Sequence, residues 1–284
     1  MRFMSDEQAA IHLASLNVCG LPSRLLSVAE RAAYFCRRID ESDIDVVNLQ
    51  EVWGRRTLEV IRARLPSFPF LAWRRGVAGQ PAGGLVTFSR LPVGAVTYTS
   101  FRGARPAAAG VRFRAKLAIN SLLQGVLTVE LAGLGAVVAN THLTANRDGD
   151  WTAAGRYHAF QRTQVGMLHA VLRRARTGGS SLVMVAGDFN IASDSSLYPL
   201  IVDGGAWRDP FAATDPATFH VEFLPPGASG RRIDYLLVCG DAATFPVTGN
   251  GLLFDEPFTL SGGRRIYLSD HVALTARIGL PPPE

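Results

Sequence analysis

Lysine is nearly absent from this chain. Of its 29 Lys and Arg residues only Lys116 is a lysine, so the net charge of +5 is an arginine excess over 24 acids. Guanidinium forks match phosphate oxygens, which suits a phosphate-bearing ligand. A general replacement of Lys by Arg and Ala explains the same composition, so the charge alone is weak evidence for nucleic acid. Cysteine is scarce too. Cys19, Cys36 and Cys239 are odd in number, far apart and form no C-x-x-C, which excludes a disulfide framework and a thiolate zinc site. Met1 to Gln8 lack a basic segment followed by an apolar run, and no apolar stretch is long enough to span a bilayer. The expectation from these absences is a soluble, cytoplasmic protein. A short apolar loop touching a membrane surface is compatible with it. No repeat and no Pro/Ser-rich linker breaks the chain, so a single domain over residues 1–284 is expected.

Apolar residues make up 48% of the sequence, enough for a large core. Short apolar runs read as strands at Ile11–Leu16, Ile44–Leu49, Gly83–Phe88, Val93–Thr99, Ala115–Leu122, Leu127–Leu131, Ala136–Thr141, Leu182–Ala186, Arg232–Cys239 and His271–Ile278. Helical spacing occupies Leu25–Asp40, Thr57–Leu65 and Trp151–Arg176. Residues 74–82, 102–113 and 209–230, rich in Gly, Pro, Ala or Arg, read as loops. The order mixes βα units with β-meanders, which predicts an α/β fold of two packed sheets flanked by helices.

Six of the strands meet chemistry at an end. Asn17, Glu51, His142, Asp188 with Asn190, Asp234, and Asp270 with His271 each lie where an apolar run stops. Any one of them has an ordinary explanation as a turn residue, a helix cap or an ion-pair partner. Together they form a coherent set of acid, amide and imidazole. In Val185-Ala186-Gly187-Asp188-Phe189-Asn190, strand alternation places Asp188 and Asn190 on one side. The oxygen donors of Glu51, Asp188, Asn17, Asn190 and Asp270 suit Mg²⁺, Mn²⁺ or Ca²⁺ rather than zinc. Such a set is what a metal-assisted hydrolase needs. His12, His158, His169 and His220 lack a comparable setting and read as structural or solvated.

The segments LASLNVCGLP, VVNLQEVW, GGLVTFSRLP, ANTHLTA, AGDFN, RRIDYLLV and YLSDH follow in this order from residue 11 to residue 278. The chain thereby resembles the endonuclease/exonuclease/phosphatase superfamily. Within it, Gly20-Leu21-Pro22, Gln50-Glu51-Val52-Trp53, Thr141-His142-Leu143, Lys116 and Arg232-Ile233-Asp234-Tyr235 look most like the neutral sphingomyelinases. Two departures bear on the lipid substrate: Lys116 is followed by Leu117, and Cys19 stands where a Trp is common.

The resemblance implies a four-layer α/β/β/α sandwich of mixed sheets. It also implies divalent-metal-dependent phosphodiester hydrolysis of a phospholipid, such as sphingomyelin or a lysophospholipid. Glu51 would be the principal Mg²⁺ (or Mn²⁺) ligand, with Asn17 and Asp270 beside it. His142 and Asn190 would donate to phosphate oxygens. Either His271, oriented by Asp234, or Asp188 would be the base, and the other would orient water or phosphate. Lys116 would touch phosphate or headgroup, unless it reaches out to solvent. The rival readings are a nuclease acting on DNA or RNA, a sugar or inositol phosphate phosphatase, and an inactive binding module. Phe68–Trp73 and Phe219–Pro226 are the candidate apolar rims for a lipid.

Overall fold

Two mixed sheets, stacked face to face, carry the chain. The computed structural model describes residues 9–21, 25–76, 79–104, 113, 117, 123–260 and 262–282. The strands are β1 (Ala10–Asn17), β2 (Val46–Gln50), β3 (Phe70–Ala72), β4 (Val86–Ser89), β5 (Val93–Ser100), β6 (Gly125–Leu131), β7 (Ala136–His142), β8 (Leu182–Asp188), β9 (Asp234–Cys239), β10 (Val247–Leu253), β11 (Phe258–Thr259), β12 (Arg265–Ile266) and β13 (Ala273–Gly279). The principal helices are α1 (Val28–Asp40), α2 (Arg55–Arg62) and α3 (His158–Thr177). One sheet runs β10-β13-β1-β2-β4-β3 and the other β5-β6-β7-β8-β9, with β11 and β12 as a separate ribbon.

Alternation along the central strands sorts side chains between layers. Ile11 and Leu13 of β1, Val138 of β7 and Met184 of β8 enter the seam between the sheets. Ala14 and Leu16 turn outward onto α1 and α2, while Ala139 and Val185 turn outward onto α3. The result is the expected helix–sheet–sheet–helix stack. Helix α1 starts at a capping box in which the Ser27 hydroxyl accepts from Glu30 N–H and the Glu30 carboxylate accepts from Ser27 N–H. Helix α3 starts at His158, later than the sequence pattern predicts. Asp150 takes the Thr152 N–H and hydroxyl into a local turn, and this competes with helix over residues 151–157. The strand expected over Ala115–Leu122 is not formed at its one described residue: Leu117 is helical, as are Phe113 and Leu123 on either side.

The topology gathers the strand ends. In each sheet one parallel pair, β1 with β2 and β7 with β8, delivers two C-termini to one edge. The antiparallel neighbours β13 and β9 begin at that same edge. Register then sets Asn17 opposite Gln50, His142 opposite Asp188, and Asp188 opposite Asp234.

The seam grows more polar toward this edge. Past the apolar layer lie amides that tie the sheets together. Asn48 Nδ2 donates to the Ala139 and Ala186 carbonyls, and Asn140 Nδ2 donates to those of Leu49 and Val86. Gln50 Nε2 donates to Asn140 Oδ1 at 2.8 Å and to Ser15 Oγ at 3.0 Å. All of these side chains are buried. Unpaired buried polar groups cost about 1–3 kcal/mol each, so Asn140→Val should destabilise the fold by roughly 3 kcal/mol or more. Urea unfolding of the two proteins side by side measures this.

Candidate active site

Beyond the amides, the edge carries ionisable groups centred on Asp188. Its Oδ2 accepts from Asn17 Nδ2 at 3.0 Å and lies 3.4 Å from His142 Nε2 and 3.6 Å from His271 Nε2. Its Oδ1 accepts from Asn190 N–H at 2.8 Å. Asp188 is buried, and burial pushes its carboxyl up to about 6; the Asp234 charge adds to this, while His271, His142 and the Asn17 bond oppose it.

His271 Nδ1 pairs with Asp234 Oδ2 at 2.9 Å, both side chains being buried. Burial alone would lower the imidazole. The Asp234 and Asp188 carboxylates outweigh it and hold His271 well above its usual range. Thr218 Oγ1 accepts the Ile233 and Asp234 N–H groups, which fixes the start of β9. The Phe219 ring meets the His271 ring edge-on, with centroids 5.0 Å apart.

Glu51 stands on the other side of Asn17. Its Oε1 accepts from Asn17 Nδ2 at 3.3 Å and its Oε2 from Gly20 N–H at 3.0 Å. A β-carbon on Gly20 would lie 1.8 Å from the Glu51 carbonyl oxygen, so only glycine permits this approach. Asp270 is linked through Ser269, whose hydroxyl donates to the Asn17 carbonyl at 2.5 Å and accepts from His271 N–H. Asn190 Nδ2 donates to the Leu143 carbonyl. Three non-glycine residues here have left-handed backbones: Cys19 (φ 49°), Glu51 (φ 61°) and Asn190 (φ 53°). Such conformations cost energy and gather where a site dictates side-chain direction.

The structure therefore brings together Asn17, Glu51, His142, Asp188, Asn190, Asp234 and His271, with Asp270 in the adjoining turn. Lys116 and Pro22 lie outside the described residues, as does most of the 102–113 loop. The Asp188, Asp234 and His271 ligand atoms lie within 4.8 Å of one another. The tight His271–Asp234 bond commits that trio to proton and phosphate work more than to holding an ion. An oxygen-rich rim with a buried acid pushed toward its neutral form fits a divalent cation, which would relieve the crowding of carboxylates. Glu51 offers it a half-buried carboxylate.

Four features of the edge escape the strand-end pattern. Thr218 and Ser269 tie the rim through main-chain bonds that no motif announces. Arg31 is a charge on the buried face of α1, between Val28 and Phe35, and that misplacement in an apolar stripe is its signal. The fourth is a cleft of about 470 Å³ beside His271, lined among others by Trp151, Phe219, Leu224, Pro225 and Ile233. The Trp151 indole donates to the Asn190 carbonyl at 3.1 Å, which anchors the cleft to the site. Arg231 at its rim is paired with Asp194. Of the two expected apolar rims, Phe219–Pro226 faces the site. In the other, Phe68 is 4% exposed, Phe70, Leu71 and Trp73 are half-buried with Leu71 and Trp73 packed against the α1–α2 core, and only Pro69 is exposed, so no fully exposed aromatic lip forms there.

The Endonuclease/Exonuclease/phosphatase family pattern matches residues 14–271, and the chain belongs to that family. Human sphingomyelin phosphodiesterase 2 is 25% identical over 94% of this chain and 64% of its own length. The chain spans less than two thirds of the curated relatives it matches. Sphingomyelinase C from Streptomyces griseocarneus superposes with a TM-score of 0.66 at 20% identity, covering 95% of this chain and 99% of that one. D. rerio TDP2 complexed with a single-strand DNA product gives 0.68 at 17% identity, covering 95% and 99%. At these identities the structural likenesses establish the fold. Among the described residues no helix is long and apolar enough to cross a membrane.

Proposed function

We propose that this protein is a divalent-metal-dependent phosphodiesterase whose substrate is a phospholipid of the sphingomyelin or lysophospholipid kind. The observation that carries the hydrolase reading is the convergence of Asn17, His142, Asn190 and the Asp234–His271 pair on the Asp188 carboxylate. A carboxyl with its pKa near 6 is ionised at neutral pH yet basic enough to accept a proton, the balance a general base needs. Asp188 then takes the proton of the attacking water. His271, kept protonated by Asp234, donates to a phosphate oxygen, and His142 and the second Nδ2 hydrogen of Asn190 add donors. Glu51, with Asn17 and Asp270 beside it, would hold Mg²⁺ or Mn²⁺, which would polarise the phosphate and offset charge on the leaving oxygen. The relatives named as sphingomyelinases and the apolar, aromatic cleft beside His271 support a lipid. Of the two arginines that line this cleft, Arg231 is paired with Asp194, so only Arg147 is offered to a polyanion there, a short footprint for a nuclease.

Protein stripped with EDTA should lose activity and regain it with Mg²⁺ or Mn²⁺. Full activity in chelator, with no metal by elemental analysis, overturns the metal requirement. A Mg²⁺ assay on sphingomyelin, lysophosphatidylcholine, plasmid DNA and inositol phosphates tests the substrate. Turnover of choline lipid is expected. Plasmid nicking that weakens steeply with salt, with every lipid untouched, would put a nuclease in its place.

A further inference from the structure

Arg31 is a buried cation whose acceptors are all main-chain. It is 1% exposed. Its Nε donates to the Leu26 carbonyl at 2.7 Å, its Nη1 to those of Val18 at 2.8 Å and Leu268 at 2.5 Å, and its Nη2 to that of Cys19 at 2.8 Å. Leu26 lies just ahead of α1, and the other three acceptors belong to two segments that are remote from each other in sequence. Val18 and Cys19 continue from Asn17 into Gly20, whose N–H holds the Glu51 carboxylate. Leu268 leads into Ser269, Asp270 and His271. The planar fork of a guanidinium can bind several acceptors in one fixed geometry, which the single ammonium of lysine cannot reproduce.

We propose that Arg31 is a positioning residue of the active site: its guanidinium straps the Val18–Gly20 segment to the Leu268–His271 segment, so that Glu51 and Asp270 are presented together to a divalent cation. The cation side of this inference rests on the metal-dependent reading above. Two observations carry it. The four bonds of Arg31 go to carbonyls and not to carboxylates, so the guanidinium does not compete for the oxygens of Glu51 and Asp270, which among the described residues accept only from Asn17, Gly20 and Ser269. Burial disfavours the Arg31 charge, and the nearby Asp270 and Glu51 carboxylates oppose this in part, so strap and acids interact at longer range as well. The strap also acts beside Cys19, whose backbone is left-handed and needs external support.

The test is Arg31→Lys in the full chain, which keeps a cation and loses the fork. Amide hydrogen exchange should quicken about tenfold or more at Gly20 and His271, while the amides of β7, β8 and α3 keep their wild-type rates. Mg²⁺ affinity, read by calorimetry without substrate, should fall about tenfold. Unchanged Gly20 and His271 exchange in a folded variant overturns the strap, and a uniform rise across the whole chain reduces Arg31 to general stability and overturns it equally. Should the variant fail to fold, wild-type protein decides. The Arg31 Nε–H signal should be visible by NMR at neutral pH, protected from solvent, and should shift on Mg²⁺ addition along with the Gly20 amide. An Arg31 signal that exchanges freely, or that stays fixed while Gly20 responds, overturns the proposal. If wild-type binds no Mg²⁺ at all, the metal reading fails, and the exchange experiment still judges the strap.

Discussion

His271→Ala should lower kcat by roughly a hundredfold or more, the range found when a preorganised donor to developing charge is lost. Asp234→Asn should approach the same loss, and the double variant should be little worse than His271→Ala alone. The reason is that the two side chains act as one device. Asp234 touches His271 Nδ1 at 2.9 Å in a buried setting, and its own backbone is fixed by Thr218. Groups that work as a unit are strongly non-additive. Losses that multiply in the double variant would show that Asp234 serves something other than His271.

The pH dependence gives the same pair a sign. His271 has its pKa raised, so its charge persists through neutrality and is lost only as pH rises through the raised value. Any stability it contributes is complete below its ordinary pKa of about 6.5 and is lost on that same alkaline rise. Asp234→Asn removes the carboxylate that opposes burial. The alkaline limb of activity should therefore move to lower pH in this variant, as a pH–rate series would record.

Asp188→Asn is expected to be the most damaging single change, at about a thousandfold or more in kcat. The amide keeps the shape but cannot accept the proton. It also sets an N–H₂ group against Asn17 Nδ2 or Asn190 N–H, both of which now donate to the carboxylate. Wild-type kcat/KM should fall on the acid side as the Asp188 carboxyl protonates near pH 6, or somewhat lower where a bound cation draws its pKa down. The variant's residual activity should lack that limb. An unaltered acid limb in Asp188→Asn would assign the titration, and the base, to another group.

Most of the site was readable before any coordinates because β-strands report direction. An apolar run that stops at an acid or amide marks a sheet edge, and parallel pairing puts two such edges together, as it does for Asn17 with Gln50 and His142 with Asp188. What escaped obeys less regular physics. A short apolar run such as Ala115–Leu122 has no period that separates strand from helix, and Leu117 proves helical. Strand β10 is absent from the apolar runs because Gly249 and Gly251 interrupt it; it is an edge strand with a register shift between Val247 and Gly249. The late start of α3 depends on a side chain, Asp150, capturing local donors. Arg31 and Ser269 bind main-chain atoms of distant segments, and no spacing rule encodes a contact between residues 31 and 268.

The amides that rivet one sheet to the other separate two evolutionary tasks. Because Asn48, Gln50 and Asn140 hold the seam from within, the spacing of Asn17 from Asp188 owes little to the connections outside it. Those connections, around Trp151 and from Phe219 to Ile233, are where the cleft's walls are drawn. On the proposed function, reaction chemistry and substrate choice thus fall to different parts of the chain. Grafting a foreign 145–150 or 221–230 connection onto this framework, with Phe219 and Trp151 kept, should redirect what is cleaved while the shape of the pH–rate curve stays as it was.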